Sequence, residues 1–341
     1  MPPSPMTWLG VATHNGNGSP ATGLVPLAQD GARLVPDGEP VDVGVDPMYL
    51  AWAGSDTLVV AHEADDGAVS AWRTDGTTLQ ALGPRRSTFG AGPCHVDLDP
   101  TGRWVLVANY TAGVFCVLPF DHDGGIGPAT AHATYDGSGP HPDRQDGPHA
   151  HQVVVDSARD QVLVADLGTD RLHRHRLDAR DGSLSELSPI TTHPGAGPRH
   201  LVIAEHLAYV AGELDAAVLV VDLSISAEVR AVPSTTHTDA GAVYPSAIRQ
   251  SPDGSRVYVA NRGPDSVATF AVTDGTLELI DEVGSGGEHP RDMVVSPDGR
   301  YLWVANQFGD NVASFEVDEN GCPQPTGDVL PTPSPTCILL P

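Results

Sequence analysis

Residues 290–317 read PRDMVVSPDGRYLWVANQFGDNVASFEV, and they align without a gap with residues 245–272, which read PSAIRQSPDGSRVYVANRGPDSVATFAV. Each segment begins with a proline and an apolar run, passes through a Ser-Pro-Asp-Gly turn, and continues into two further apolar runs. Proline presets φ for the turn and glycine accepts a positive φ, so this tetrapeptide separates two strands. The chain therefore contains an internal repeat built from short strands.

The repeat recurs along the chain at a nearly constant spacing. Weaker copies begin at Pro47, Pro93, Pro148 and Pro198, and a final fragment, PTCILL, begins at Pro335. The intervals between successive starts are 46, 55, 50, 47, 45 and 45 residues. A period in the forties with several short strands per unit is typical of a β-propeller blade.

Each unit predicts four strands, which we call a to d from the propeller axis outwards. Strand a follows the proline, and strands b and c are predicted over 301–305 and 312–317 in the unit that starts at Pro290. Strand d follows an Asp-Gly turn, as at 276–280. The longest interval contains a loop rich in Gly, Pro and His, residues 136–147, which we expect to lie over one face of the propeller.

The two ends of the chain together supply one more blade. PTCILL resembles a lone strand a, and residues 8–12, 23–27 and 32–35 fit strands b, c and d. A ring closed in this way leaves only short, protected sheet edges. We therefore predict an all-β fold, a single seven-bladed β-propeller domain over residues 1–341, with its last blade closed by strands from both termini.

Composition excludes several classes of function. The net charge is −26, and all 18 basic residues are arginines. Without lysine the chain can perform neither Schiff-base chemistry nor P-loop phosphate binding. A strongly acidic surface repels nucleic acids and anionic membranes, so neither is an expected partner.

Neither the cysteines nor the N-terminus indicates a metal site or a targeting segment. Cys94, Cys116, Cys322 and Cys337 have no zinc-type spacing, so buried free thiols are expected. Residues 1–6 carry no basic segment, and the chain has no apolar run of 18 residues. We expect a cytoplasmic protein without a metal or a cofactor. The oligomeric state stays open, and a monomer is compatible with the sequence.

Polar residues concentrate where strands a begin and strands b end. Because strand b runs antiparallel to strand a, both positions lie on the same face of the propeller. The starts of strands a carry His95, His149, His151, Arg199, His200, Ser246 and Arg291. The ends of strands b carry Glu63, Asn109, Tyr110, Asp166, Glu213, Asn261, Arg262, Asn306 and Gln307.

This convergence predicts a funnel-shaped site for a small anionic substrate. Arginine binds phosphate and carboxylate groups through two parallel hydrogen bonds. Three arginines are predicted at the same end of the central channel, although the protein as a whole is acidic. Each residue also has a structural interpretation. Asn and Asp after a strand can bind the turn backbone, and Arg199 and Arg291 can pair with acids of neighbouring blades.

Short motifs follow one another along nearly the whole chain. They are GPCH (92–95), PHAHQ (148–152), DLGTD (166–170), PGAGPRH (194–200), GEL (212–214), SPDG (251–254), NRG (261–263), PR (290–291) and NQ (306–307). Together they resemble the seven-bladed propeller lactonase family. That family includes the bacterial propeller type of 6-phosphogluconolactonase and the fungal carboxy-muconate lactonising enzyme.

The resemblance implies a lactone hydrolase without an obligatory metal, with 6-phosphogluconolactonase of the pentose phosphate pathway as the favoured activity. By motif, the catalytic group proposed for the muconate enzyme falls on His151, Arg199, Glu213 and Arg262. Either His151 or Glu213 would then be the general base, and Arg291 with Asn306 and His95 would bind the phosphate. The full set of predicted substrate-binding residues is His95, Asn109, His149, Asp166, His200, Asn261, Arg291, Asn306 and Gln307.

Other functions remain open at this point. Oxygen ligands at the ends of strands b could make the protein a metal-dependent sugar lactonase. A muconate-type lactonising enzyme and a non-catalytic ligand-binding propeller are further alternatives. The chain has no GxSxG motif, so a serine nucleophile is not expected.

Overall fold

The computed structural model describes residues 6–11, 23–76, 78–236 and 241–341. In these ranges the chain forms strands and turns and no helix, so no helix there could span a membrane. The strands are β1 (Thr7–Val11), β2 (Gly23–Asp30), β3 (Arg33–Pro36), β4 (Pro47–Trp52), β5 (Thr57–His62), β6 (Ala68–Thr74), β7 (Leu79–Ala81), β8 (Arg86–Ser87), β9 (Pro93–Leu98), β10 (Trp104–Asn109), β11 (Val114–Asp121), β12 (Gly125–Ile126), β13 (Ala131–Thr134), β14 (Ala150–Asp156), β15 (Gln161–Asp166), β16 (Arg171–Leu177), β17 (Leu184–Thr191), β18 (Pro198–Ala204), β19 (Leu207–Gly212), β20 (Ala217–Asp222), β21 (Ala227–Pro233), β22 (Tyr244–Gln250), β23 (Arg256–Arg262), β24 (Ser266–Thr273), β25 (Thr276–Gly284), β26 (Pro290–Val295), β27 (Tyr301–Asn306), β28 (Asn311–Val317), β29 (Pro323–Pro331) and β30 (Pro335–Leu339).

The strands form seven antiparallel sheets, which confirms the predicted seven-bladed propeller. Blades 1 to 6 contain β4–β8, β9–β13, β14–β17, β18–β21, β22–β25 and β26–β29. Blades 1 and 2 each carry one additional short strand, because β8 as well as β7 pairs with β6, and β12 and β13 both pair with β11.

Blade 7 is closed by both ends of the chain, as the sequence predicts. Its strand order is β3-β2-β1-β30, and Leu9 of β1 pairs with Ile338 of β30. The predicted strands 8–12, 23–27 and 32–35 are found at 7–11, 23–30 and 33–36, while Ala12 lies outside the described residues.

Apolar cores lie between neighbouring blades, because each sheet packs its faces against the next sheet. Phe115 of blade 2 shares a buried cluster with Val153 of blade 3, and Phe315 of blade 6 shares one with Tyr258 of blade 5. Strands b are buried on both faces, which explains their continuous apolar runs such as WVLVAN in β10.

A β-bulge at the start of each strand a positions the polar side chains. In six blades a proline pairs with the last or near-last residue of strand b, and the register shifts directly after it; the prolines are Pro47, Pro93, Pro198, Pro245, Pro290 and Pro335. The residue that follows the proline is therefore left out of the ladder. A bulge of this kind redirects one side chain, and bulges are frequent beside active sites.

Blade 3 departs from the predicted proline-led start. Its strand a begins at Ala150, which pairs with Asp166 as Pro290 pairs with Asn306, so Pro148 lies two residues before the strand. The bulged residue of this blade is consequently His151 and not His149. The PHAHQ segment thus occupies a different register from the other starts.

We expect that removing residues 335–341, and with them strand a of blade 7, lowers the midpoint of thermal unfolding by about 10 °C or more, because β1 then loses its inner partner and the ring opens. Circular dichroism against temperature measures this midpoint. Deleting Pro341 alone, which is exposed beyond β30, should leave it unchanged. An equal midpoint for both truncations would contradict closure by β30.

Candidate active site

A cavity of about 290 Å³ opens at the face where strands a begin. Its lining comes from two repeating positions: the bulged residue of strand a, and the residue that directly follows the partner, on strand b, of the residue before the bulge. Only Arg144 belongs to neither position. The lining residues are Glu63, Cys94, Tyr110, Arg144, His151, Arg199, Glu213, Arg262 and Arg291.

The Glu213 carboxylate is the centre of the charged groups. It is almost fully buried, and three guanidinium groups surround it. Arg144 Nη2 donates a hydrogen bond to Oε1 at 2.5 Å. Arg262 Nη2 and Arg199 Nε lie 2.6 and 3.0 Å from Oε2. A buried carboxylate needs such partners, since burial without them would favour its neutral form.

The arginines keep Glu213 charged. Burial alone would raise the pKa of this carboxyl, but Arg262, Arg199 and Arg144 together hold the pKa well below its usual range. A carboxylate with so low a pKa is a weak base and is not protonated near neutral pH. Of the two predicted candidates for the general base, this geometry favours His151 over Glu213.

Arg199 lines the cavity and carries an unsatisfied donor. Its side chain is only 2 % exposed, and Nη1 is buried without a hydrogen-bond partner among the described residues. Burial, followed by the charge of Arg262, lowers the pKa of Arg199. An unpartnered buried donor is costly, so this atom is suited to an oxygen that arrives with a ligand.

His151 lies in the same lining as a neutral imidazole. Burial, and then the charge of Arg199, lowers its pKa well below 6.5. Its Nδ1 is 3.9 Å from the Cys94 thiol, which also contacts the His151 carbonyl oxygen at 3.2 Å. A neutral imidazole in a cavity can accept a proton from water.

Arg291 lines another part of the cavity, where Glu63 is its counter-ion. Its Nη2 donates to Glu63 Oε2, and its Nη1 donates to Gln307 Oε1, each at 3.3 Å. The structure thus brings the predicted Arg291 and Gln307 into contact, although only Arg291 is among the residues that line the cavity. Glu63, for which the sequence suggested only a position lining the channel, partly neutralises this side.

Four residues of the lining are outside the predicted catalytic and substrate-binding set: Glu63, Cys94, Tyr110 and Arg144. The sequence places Glu63 and Tyr110 at the ends of strands b, whereas it gives Arg144 no such position. Arg144 lies in the segment between β13 and β14, and its Nη2 and Nε donate to Tyr110 Oη at 3.1 and 3.3 Å. The available signal was the 55-residue interval, the longest of the six, which contains an arginine shortly before PHAHQ.

Four residues predicted to bind substrate are directed away from the cavity: Asn109, Asp166, Asn261 and Asn306. Side chains alternate along a strand, so Asn109 and Asn261 point away from the cavity that their successors, Tyr110 and Arg262, line. Asn109, Asn261 and Asn306 each donate to a backbone oxygen of a preceding turn, Thr88, Ser234 or Ser285. Asp166 accepts from the backbone nitrogens of His149 and Gly168. These residues stabilise turns.

His149 supports the site from outside its lining. Its ring stacks on Tyr110 with centroids 4.6 Å apart, and Nδ1 hydrogen-bonds to the Tyr110 carbonyl oxygen at 3.0 Å. The register of blade 3 explains this position, because His149 precedes the strand. The prediction that it contacts substrate is replaced by a role in holding Tyr110.

His95 and His200 lie in the central channel and not among the residues that line the cavity. The ring centroid of His200 is 5.2 Å from that of His151 and 5.5 Å from that of His95. Burial lowers the pKa of both well below 6.5, so both are neutral. The predicted phosphate site of Arg291, Asn306 and His95 is therefore not assembled.

The lining contains four arginines and two glutamates, which leaves a net charge of about +2 when all six are ionised. Within the described ranges no three His, Cys, Asp or Glu side chains are arranged to hold a metal ion. The three imidazoles near the cavity lie beside Arg199 and Arg249, whose charges disfavour a bound cation. The arrangement suits an anion instead.

Replacing Glu213 with glutamine should lower the free energy of unfolding by about 3–5 kcal/mol, because three guanidinium groups lose their shared counter-ion in a buried site. Urea unfolding measures the change. Glu63→Gln is the matched control: Glu63 is 29 % exposed, so its loss should cost less than about 1 kcal/mol. Equal effects of the two substitutions would contradict the central place given to Glu213.

Relatives and solved structures with the same architecture are found across bacteria. The chain is 34% identical over 252 residues to the 6-phosphogluconolactonase of Bacillus subtilis, which covers 71% of each chain. A Lactobacillus plantarum protein superposes with a TM-score of 0.89 at 30% identity, over 98% of both chains. The periplasmic gluconolactonase of Pseudomonas aeruginosa superposes with a TM-score of 0.90 at 27% identity, over 99% of both.

The sequence profile of the family described as lactonase, 7-bladed beta-propeller matches residues 8–340. The match covers the seven blades from β1 to β30 and includes every residue that lines the cavity. The chain is therefore a member of the seven-bladed β-propeller lactonase family.

Proposed function

We propose that the protein hydrolyses a lactone that carries an anionic group, with 6-phosphogluconolactone as the substrate and 6-phosphogluconate as the product. The observation that carries this proposal is the pairing of a neutral His151 with the unpartnered Nη1 of Arg199 in one positively charged cavity. Lactone hydrolysis requires a base for water and a donor for the carbonyl oxygen, and these two groups supply them.

The first step adds water to the lactone carbonyl. His151 accepts a proton from the water as the oxygen forms a bond to the carbonyl carbon, and the C=O π electrons move to the carbonyl oxygen. Arg199 Nη1 stabilises the resulting oxyanion, because a buried cationic donor is most effective where negative charge develops. Arg262 adds positive charge from the next blade.

The second step opens the ring. The oxyanion re-forms the C=O bond, the bond between the carbonyl carbon and the ring oxygen breaks, and the ring oxygen takes the proton from His151. The carboxylic acid that forms releases its proton to solvent, so His151 ends neutral as it began. Water is the only reactant besides the lactone.

The Cys94 thiol, although it lines the cavity, is not suited to act as a nucleophile. Burial, and then the negative charge of Glu63, raises its pKa above the usual range of a thiol. A thiol in this state carries almost no thiolate near neutral pH, and the thiolate is the reactive form. Direct attack by water is therefore the mechanism that the lining supports.

We also propose a cytoplasmic location and a place in the pentose phosphate pathway, since both follow from a phosphorylated sugar lactone as substrate. Fractionation of the source cells tests the location.

His151→Gln should reduce kcat for lactone hydrolysis by about 100-fold or more, because the glutamine amide cannot accept the proton. Acid release from 6-phosphogluconolactone in a pH-stat, corrected for spontaneous opening, measures the rate. His206→Gln, a change of the same type at an exposed position, should leave the rate unchanged. Full activity of His151→Gln, or no acceleration by the unmodified protein, would refute the proposal.

The pH dependence of kcat/KM follows from the lowered pKa of His151. The base acts in its neutral form, so activity is lost only as pH falls through the folded-state pKa. An imidazole with the ordinary pKa of about 6.5 would be roughly three-quarters protonated at about pH 6. We expect kcat/KM to stay nearly constant from about pH 8 to about pH 6, whereas a midpoint near the ordinary value would contradict a buried base.

A further inference from the structure

We propose that Arg144 binds the phosphate of the substrate and thereby sets the preference for phosphorylated over unphosphorylated lactones. This inference rests on the proposed function, because it concerns the same cavity. The phosphate would lie on the side of the cavity formed by the segment between β13 and β14, and not on the side formed by Arg291.

The distribution of charge separates the two sides of the cavity. On one side Arg144, Arg199 and Arg262 share the single carboxylate of Glu213, which leaves two positive charges uncompensated. On the other side Arg291 contacts Glu63 at 3.3 Å, one charge against one. A phosphate carries nearly two negative charges near neutral pH, so it complements the first side and not the second.

The three arginines that contact Glu213 differ in how far their side chains are exposed to solvent. Arg199 is 2 % exposed, Arg262 is 12 % exposed and Arg144 is 33 % exposed. His151 and the unpartnered donor of Arg199 place the reacting carbonyl at the buried end. The phosphate of a 6-phosphorylated lactone is carried outside the ring, several bonds from that carbonyl, and the most exposed of these arginines lies where it would remain partly hydrated.

Hydrogen bonds hold Arg144 in place and leave its Nη1 available as a donor. Glu213 Oε1 and Tyr110 Oη occupy its Nη2 and Nε. Among the described residues none accepts a hydrogen bond from its Nη1, and the side chain is partly open to solvent. A guanidinium fixed along one edge and free along another is preorganised to bind an anion.

The segment that carries Arg144 is itself anchored. The next residue, Gln145, is buried, and its Nε2 donates to the Leu167 carbonyl oxygen and to Asp170 Oδ1 at 2.8 and 2.7 Å. Asp170 Oδ1 also accepts from the backbone nitrogen of Gly197, two residues before Arg199. The Arg144 position is therefore coupled to the strand that supplies the oxyanion donor.

Calorimetric titration with 6-phosphogluconate and with gluconate tests the assignment. Arg144→Gln should weaken binding of 6-phosphogluconate by about 10- to 100-fold, the effect of one lost charge-assisted contact, and should leave gluconate within about threefold. Arg291→Gln should not reduce the preference for the phosphorylated ligand. Arg171→Gln is the matched control, because it removes the same charge and a contact to Asp136 of the same segment from outside the cavity lining.

A purely structural role for Arg144 would weaken both ligands equally, and that result would overturn the proposal. So would loss of the phosphate preference in Arg291→Gln, or no preference in the unmodified protein. Arg144→Lys keeps the charge and should retain part of the preference for the phosphorylated ligand. This variant separates loss of the charge from misfolding of Arg144→Gln. Binding of 6-phosphogluconate through Arg144 by a protein that hydrolyses no lactone would refute the proposed function and leave this inference standing.

Discussion

The buried carboxylate of Glu213 is the interaction on which the site depends. Three arginines converge within 3.0 Å of it, and they come from blade 4, from blade 5 and from the segment that precedes blade 3. One carboxylate offsets only part of the repulsion among three guanidinium groups, so the cavity stays positive in a chain whose net charge is −26. Without Glu213 the arginines would lose their shared counter-ion, and without the arginines burial would raise the pKa of the carboxyl. The residue is thus a counter-ion that organises the site, and the proton transfer is left to His151.

The fold supplies this convergence through one repeated device. In each of blades 2, 3, 4 and 6 a bulge follows the first residue of strand a, and the residue directly after it has no partner in the ladder and lines the cavity: Cys94, His151, Arg199 or Arg291. The position after the pairing end of strand b adds the second ring, which includes Tyr110 and Glu213. A propeller places such positions around one axis, so chemistry distributed over some 230 residues, from Glu63 to Arg291, meets within one cavity.

Much of this arrangement can be predicted from the sequence, and the exceptions have physical reasons. The spacing of the prolines predicts the blades, and the apolar runs at the two ends predict how the ring closes. The sequence does not show which face of strand b each side chain occupies. It therefore predicts substrate binding by Asn109 and Asn306, whereas their amide nitrogens donate hydrogen bonds to backbone oxygens of turns. The predicted start of strand a in blade 3 is wrong by two residues. Pro148 is followed by the same pattern as the prolines that begin the other strands a, but pairing begins at Ala150. Arg144 lies outside the repeat, and no periodicity can locate it.

The account makes one claim above all: the reacting carbonyl lies between a neutral imidazole and a buried, unsatisfied guanidinium donor. The most direct measurement is a crystal structure of the protein with bound 6-phosphogluconate. We predict that its carboxylate, which derives from the lactone carbonyl, lies within hydrogen-bonding distance of His151 and of Arg199 Nη1, at about 2.7–3.2 Å. A product bound in the reverse orientation, with its phosphate against His151 and Arg199, or bound outside the cavity, would contradict the account.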